Sequence, residues 1–176
     1  MATAPPLAGL VAFLAYTIVE RFAELYVSSR TRVVLLARGA RESGAGHFWM
    51  FVVLHTLYPI ALVAEVLGGH ARPPAAWPVA FAVWLAAQAL RVWAMRSLKE
   101  RWNVRILVVP GEPLVRTGPY AWLPHPNYVA VVLDLASGPL MFGAWRTALG
   151  ASLLNAIALA VRVPTENRAL RETARG

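Results

Sequence analysis

A histidine, two tyrosines and an asparagine stand close together in the stretch GPYAWLPHPNYVA, residues 118–130. A later stretch, RVPTENRAL, places Arg162 and Glu166 one helical turn apart. Carboxylate and tyrosine groups suit a cationic ligand, and an arginine can hold an anion. The chain contains no cysteine, which excludes thiolate nucleophiles and zinc–sulfur sites.

Polar residues also interrupt the apolar segments, where ionisable groups are costly and suggest a site. They are Glu20, Arg21 and Glu24, then Gln88 and Arg91, then Asn127 and Asp134, and finally Asn155, Arg162 and Glu166. Spacings of three, four and seven residues place each set near one helix face. We predict a shared polar chamber in which Arg21, Glu24, Arg91 and Asp134 contact a substrate. Asp134 should face the interior near the first or fifth helix. The alternative is a structural Arg21–Glu24 pair and an Arg91 that extends its charge to the interface.

The elements that must position these residues have the composition of membrane helices. The chain of 176 residues is 58% hydrophobic and 15% charged. Windows at 7–27, 48–67 and 77–95 are long enough to cross a bilayer, which takes about 20 helical residues. Shorter windows at 128–142 and 147–163 indicate a helical hairpin. The prediction is one all-α domain over 1–176, a polytopic membrane protein with about five transmembrane helices.

The distribution of basic residues predicts the orientation. Thirteen lie in segments 28–47 and 96–127 and in the tail, whereas the two other connections hold only Arg72 and Arg146. This is the pattern of cytoplasmic loops. We predict a multi-pass protein of the inner (plasma) membrane, with the N-terminus outside and the C-terminus cytoplasmic. Topology and attraction to membrane lipid then account for the net charge of +8, and no nucleic-acid partner is predicted.

The two long basic connections contain apolar runs. VVLLARGA, within 28–47, is typical of a short separate interfacial helix ended by Gly39. VRILVVPG, within 96–127, should fold back as a cytoplasmic cap over the site. His47 and His55 are interpreted as interfacial or packing residues, because no cluster of metal ligands accompanies them. No metal is predicted.

GPYAWLPHPNYVA followed by RVPTENRAL resembles the C-terminal signature of the isoprenylcysteine carboxyl methyltransferase family. ERFAELYVSSR and RVWAMRSLKERWNVRILVVPG are further similar to a bacterial branch that O-methylates alkylpyrones or alkylresorcinols. The resemblance implies a helical membrane enzyme that transfers a methyl group from S-adenosylmethionine to a carboxylate, enol or phenol oxygen of a lipophilic substrate. The cofactor-binding signature would cover about 104–172.

The resemblance also implies roles for individual residues. The residues implied to bind or shape the cofactor pocket are Gly118, Pro119, Tyr120, His125, Pro126, Asn127, Tyr128 and Glu166. Arg162, between cofactor and substrate, joins His125 and Glu166 as the predicted catalytic residues. The chain departs from the family pattern at three positions. Pro124 stands where an arginine is usual, Ala130 where a glycine is common, and Asn167 where a second acid is frequent.

Two other function classes remain open from the sequence. A membrane NADPH-dependent reductase of sterol-reductase-like architecture would need a basic cluster for the 2′-phosphate, which Arg101 and Arg105 could supply. A non-enzymatic scaffold or transporter module would need polar residues spread along a path through the bilayer. Here the polar residues gather toward one half of it.

Overall fold

The computed structural model describes residues 7–173 and consists mainly of helices. Its long helices are α1 (Leu7–Ala37), α2 (Phe48–Leu67), α3 (Trp77–Leu98), α4 (Pro126–Leu140) and α5 (Trp145–Thr173). Residues 7–173 also contain two short strands, β1 (Arg41–Ser43) and β2 (Ile106–Val108), which pair antiparallel. The prediction of a mostly helical chain is confirmed, and the strand pair was not predicted. The predicted domain bounds 1–176 include residues 1–6 and 174–176, which lie outside the described residues.

The tightest packing joins α3 to α4, α4 to α5 and α5 to α2. An aromatic cluster lies near the start of α1 and the end of α4. Phe13 stands 5.6 Å from Trp84 and 5.4 Å from Phe142 between ring centroids. Gly138 makes room for this cluster, because a Cβ at that position would lie 2.9 Å from the Phe13 ring. The cluster closes one end of the bundle, and the candidate site lies at the other.

Helices α4 and α5 form the expected hairpin, and the start of each helix has an identifiable cause. Pro126 lies in the first turn of α4, where its missing N–H costs nothing. At the start of α5, the Glu65 carboxylate accepts hydrogen bonds from the backbone N–H groups of Arg146 and Thr147, at 3.1 and 2.7 Å. The hairpin returns Glu166 to the end of the bundle where α4 begins.

Three helical segments within residues 7–173 are long and apolar enough to cross a membrane: Ala45–Leu67, Trp77–Arg101 and Trp145–Glu172. α1 is long enough but carries Glu20, Arg21 and Glu24, and α4 has only 15 residues. The chain therefore has the helices of a membrane protein, while five spans remain a prediction.

The expectation of a separate interfacial helix in segment 28–47 is wrong. The VVLL residues are the last turns of α1, which continues without interruption to Ala37. Neither glycine nor proline interrupts positions 28–38, so nothing in that stretch breaks the helix. Gly39, at φ +83°, then turns the chain away as expected.

The second connection folds back against α1 and β1. The Thr31 hydroxyl donates to the Trp102 carbonyl at 2.7 Å, and the Asn103 amide donates to the Ser28 carbonyl at 2.8 Å. β2 then pairs with β1. The apolar run therefore covers part of the bundle, and its cytoplasmic location remains a prediction.

Candidate active site

A cavity of about 790 Å³ opens between the helices at the end of the bundle where α4 begins. The connection around β2 forms one wall, and α1, α2, α4 and α5 contribute the others. The residues predicted at the site that line it are Arg21, Glu24, Tyr120, His125, Asn127, Tyr128, Arg162 and Glu166. The structure thus brings the two separate sequence stretches to one cavity.

Three residues of the predicted pocket, Gly118, Pro119 and Pro126, are not among the residues that line the cavity. Pro119 and Pro126 are fully buried. Gly118 has φ +60°, and a Cβ there would lie 3.0 Å from the indole nitrogen of Trp93 and closer still to the Ser97 hydroxyl. Glycine is therefore required where this turn packs on α3.

A chain of hydrogen bonds joins α4, α5 and the loop before β2. The Tyr128 hydroxyl donates to Oε2 of Glu166. Nε of Arg162 donates to the Tyr128 oxygen at 2.6 Å, and Nη2 of Arg162 donates to the Val104 carbonyl at 2.6 Å. The Arg162 guanidinium also lies 5.0 Å from the centroid of the Phe51 ring. These contacts hold the arginine and the carboxylate in a defined orientation at the cavity wall.

His125 and Glu166 meet across this wall, as the hairpin predicts. Nδ1 of His125 lies 3.9 Å from Oε1 of Glu166, and the imidazole stacks on Tyr128 at 5.1 Å between centroids. Nε2 of His125 lies 2.9 Å from Oδ1 of Asn167. Sequence reasoning noted Asn167 only as a departure from the family pattern. Its one signal was its position beside Glu166.

Tyr120 completes this polar end of the cavity. Burial, and then the neighbouring Glu166 carboxylate, raise the pKa of the Tyr120 phenol. Its hydroxyl therefore stays protonated at neutral pH and can donate a hydrogen bond.

Arg91 and Asp134 do not reach the cavity, although both are predicted to contact substrate. Arg91 is 1% exposed and Asp134 is 7% exposed. Nη2 of Arg91 lies 2.7 Å from Asp134, and Nη1 lies 2.6 Å from Glu20. Gln88 donates to Asp134 at 3.0 Å. Asp134 is buried as expected; its direct partners Gln88 and Arg91 lie on α3, and the same Arg91 guanidinium joins it to Glu20 of α1.

The arrangement joins α1, α3 and α4 by buried ion pairs and supports a structural role for Arg91. It also excludes the interpretation that Arg91 extends its charge to the interface. Arg21 and Glu24 form the expected ion pair, and both also line the cavity. Among residues 7–173 no three potential metal ligands come together.

Charge at the cavity is predominantly positive, since its lining contains six arginines and three glutamates. The two arginines considered for a 2′-phosphate are already paired. Arg101 lies 3.0 Å from Glu112, and Arg105 lies 2.6 Å from Glu42. This pairing argues against a ready-made NADPH site.

His55 also lines the cavity, on α2, whereas His47 is not among the lining residues. Sequence reasoning placed both histidines in packing or interfacial roles. A lone histidine in an apolar helix carries no signal that separates a cavity-lining residue from a packed one.

Known proteins are similar to this chain over most of its length. The family model described as the isoprenylcysteine carboxyl methyltransferase (ICMT) family matches residues 79–172. The uncharacterized protein YpbQ of Bacillus subtilis is 40% identical over 159 residues, which cover 90% of this chain and 95% of that protein. An uncharacterized protein of Haemophilus influenzae is 26% identical over 151 residues, covering 85% and 88% of the two chains. The matched range 79–172 contains the His125 and Glu166 stretches and most of α3.

Proposed function

The chain belongs to the isoprenylcysteine carboxyl methyltransferase family, which makes it a membrane methyltransferase, and we propose that it transfers the methyl group of S-adenosylmethionine to an oxygen of a lipophilic acceptor. The acceptor oxygen belongs to a carboxylate, an enol or a phenol. The reaction takes place at the cytoplasmic face of the plasma membrane, with the C-terminus on the same side.

The facing acceptors of His125 and Glu166 carry this proposal. Oδ1 of Asn167 only accepts hydrogen bonds, so Nε2 of His125 carries the ring proton. In the neutral ring, Nδ1 is then an acceptor that faces the Glu166 carboxylate at 3.9 Å. Two facing acceptors, one of them charged, suit a cationic N–H donor such as the ammonium group of the cofactor.

Asn127 supplies a further acceptor to the same region. Its Oδ1 is buried and has no hydrogen-bond partner within residues 7–173, and the residue lines the cavity. A buried acceptor without a partner is costly, and an N–H or hydroxyl group of the cofactor would satisfy it. The donor and acceptor types present therefore fit the proposed cofactor.

Arg162 is the proposed anchor of the acceptor substrate. Its bonds to Tyr128 and Val104 fix the guanidinium at the cavity wall. Both of these partners are neutral, so the arginine charge remains able to attract an anionic oxygen. Positioning such an oxygen in line with the methyl group is the main catalytic task when the nucleophile is already ionised.

The bound cofactor supplies an electrophilic methyl group on a sulfonium. When bound, it would give this methyl group to the acceptor oxygen, and the electron pair of the carbon–sulfur bond would remain on sulfur, so that an anionic acceptor and a sulfonium would yield a neutral ether or ester and a neutral thioether. For a phenol acceptor that is still protonated, whichever of His125 and Glu166 the cofactor leaves free would act as the base.

The apolar part of the cavity suits the chain of a lipid. Leu25, Val52, Val131 and Leu159 contribute to its lining, and Leu25 and Val52 are exposed side chains of α1 and α2. An alkyl chain can therefore lie along apolar surface continuous with the membrane-facing side of the bundle.

The direct test is to incubate the purified protein in detergent with methyl-labelled S-adenosylmethionine and a lipid extract of the cell. Label should appear in an organic-soluble product, and its structure would identify the methylated oxygen. A folded protein that neither binds S-adenosylhomocysteine nor labels any lipid would overturn the proposal.

A further inference from the structure

A second groove, of about 660 Å³, adjoins the cavity at the end of α3 and shares the segment 113–116 with it. Its lining contains four basic residues and one acidic residue: Arg38, Lys99, Arg101 and Arg116, against Glu100. A concave surface in which one sign of charge dominates concentrates ligands of the opposite sign. The groove therefore suits an anionic group.

Two of the four cations in the groove are already paired. Arg38 and Arg101 both contact the Glu112 carboxylate, Arg101 at 3.0 Å. No carboxylate among residues 7–173 lies within ion-pair distance of Lys99 or Arg116. Both of these residues are exposed, so their charges remain available to a ligand.

Lys99 ends α3 in a backbone conformation that usually belongs to glycine. Its φ of 53° and ψ of −122° are close to those of the first corner of a type II′ turn. Within residues 7–173 it is the one residue other than glycine with a positive φ. A side chain in this conformation is destabilising, and glycine would avoid the cost. The cost is accounted for if the lysine charge binds a ligand.

The groove lies at the depth where membrane head groups are expected. α3 belongs to the apolar span Trp77–Arg101, and the groove surrounds the last residues of that span. Trp93, six residues before Lys99, is 45% exposed and contacts the 76% exposed Trp122 at 5.9 Å between ring centroids. Exposed indole rings are typical of the membrane–water interface. The anion that reaches this groove most readily is thus one that the membrane itself supplies.

We propose that the groove binds an anionic membrane phospholipid, with the phosphate held by Lys99 and Arg116. Leu85 and Val92 are exposed, and they precede Lys99 at seven-residue intervals, which places them near one face of α3. This apolar face gives the acyl chains a path into the bilayer. The phospholipid is a bound partner and is not methylated, so the inference depends on the membrane location of the chain and not on the proposed reaction.

The test measures phospholipid binding by native mass spectrometry of the protein released from detergent. Phosphatidylglycerol should bind about 5- to 25-fold more tightly than phosphatidylcholine with the same acyl chains, since each basic residue near an anionic lipid contributes about fivefold. Lys99→Gly should lower the affinity for phosphatidylglycerol about fivefold. Its thermal unfolding midpoint should not fall, because glycine suits the backbone at this position. A lower midpoint would contradict the assignment of the lysine to a ligand rather than to the fold.

A matched pair of double variants separates this groove from general attraction to anionic lipid. Lys99→Gln with Arg116→Gln should bring the ratio of the two affinities close to one. Arg30→Gln with Arg168→Gln removes the same number of charges from exposed residues that line neither the groove nor the cavity. This control should keep the preference for phosphatidylglycerol.

Three results would overturn the inference: equal affinities in the unaltered protein, a preference that survives the loss of Lys99 and Arg116, or an equal loss in the control. A competition experiment distinguishes a lipid from a free phosphate compound. sn-Glycerol 3-phosphate should not displace phosphatidylglycerol at equal concentration, because it lacks the acyl chains that lie along α3. Equal displacement would identify a site for a soluble phosphate and refute the assignment to a phospholipid.

Discussion

Glu166→Gln should weaken binding of S-adenosylhomocysteine, because it removes the negative charge that faces His125 while keeping the side-chain shape. The Gln oxygen can still accept the Tyr128 hydroxyl, so the hydrogen-bond chain to Arg162 persists. A hydrogen bond to a charged group contributes about 1.5–3 kcal/mol. The Glu166 side chain is 25% exposed, and partial screening favours the lower end, roughly a tenfold increase in Kd.

Isothermal titration calorimetry of the purified protein in detergent measures this change. Glu172→Gln is a matched control, because Glu172 lies six residues farther along α5 and is exposed but is not among the cavity-lining residues. The control should bind like the unaltered protein, and thermal unfolding should show both variants folded. An unchanged Kd in folded Glu166→Gln would remove this residue from the site and refute the reasoning from facing acceptors.

Three further predictions concern the scaffold. Arg91→Met should lower the free energy of unfolding by about 3–5 kcal/mol, because it leaves buried carboxylates without a counter-charge. The double variant with Asp134→Leu should recover part of the loss in detergent thermal unfolding, and no recovery would contradict the pairing. Glu65→Ala should cost about 0.5–2 kcal/mol through the lost cap of α5, and an unchanged unfolding midpoint would exclude that role. A reporter at the C-terminus should read as cytoplasmic and one in loop 68–76 as external, and the reverse would contradict access to a cytosolic cofactor.

The meeting of His125 and Glu166 could be predicted because a short turn leaves few choices. Two helices joined by a few residues pack antiparallel, so the open ends of the hairpin come together whatever their side chains are. The contact at 3.9 Å follows from this connectivity. The other contacts of the site depend on side-chain orientations, which the connectivity of the helices does not determine. Nothing in the sequence shows that Asn167, rather than a ligand, accepts the hydrogen bond from Nε2 of His125.

The partners of Asp134 could not be predicted, because a seven-residue spacing fixes a helix face but not the neighbouring helix. Burial was predictable from the cost of a lipid-exposed carboxylate. The choice between helices depends on how all five pack, and the packing places α3 against α4. The β1–β2 ribbon escaped prediction for a related reason. Strands of three residues have too little periodicity to detect, and each exists only through its distant partner.

Arg91 and Arg162 show how one residue type serves two purposes in the same bundle. Arg91 lies within 2.6–3.6 Å of Glu20, Glu24 and Asp134, so its charge is neutralised inside the protein. Arg162 donates to a hydroxyl and a carbonyl, and no carboxylate within residues 7–173 comes within ion-pair distance of it. A buried charge that is fully paired can join helices but has little attraction left for a ligand. An arginine whose partners are neutral keeps its positive charge available to a ligand in the cavity. This difference makes Arg162 the better candidate to hold an anionic acceptor.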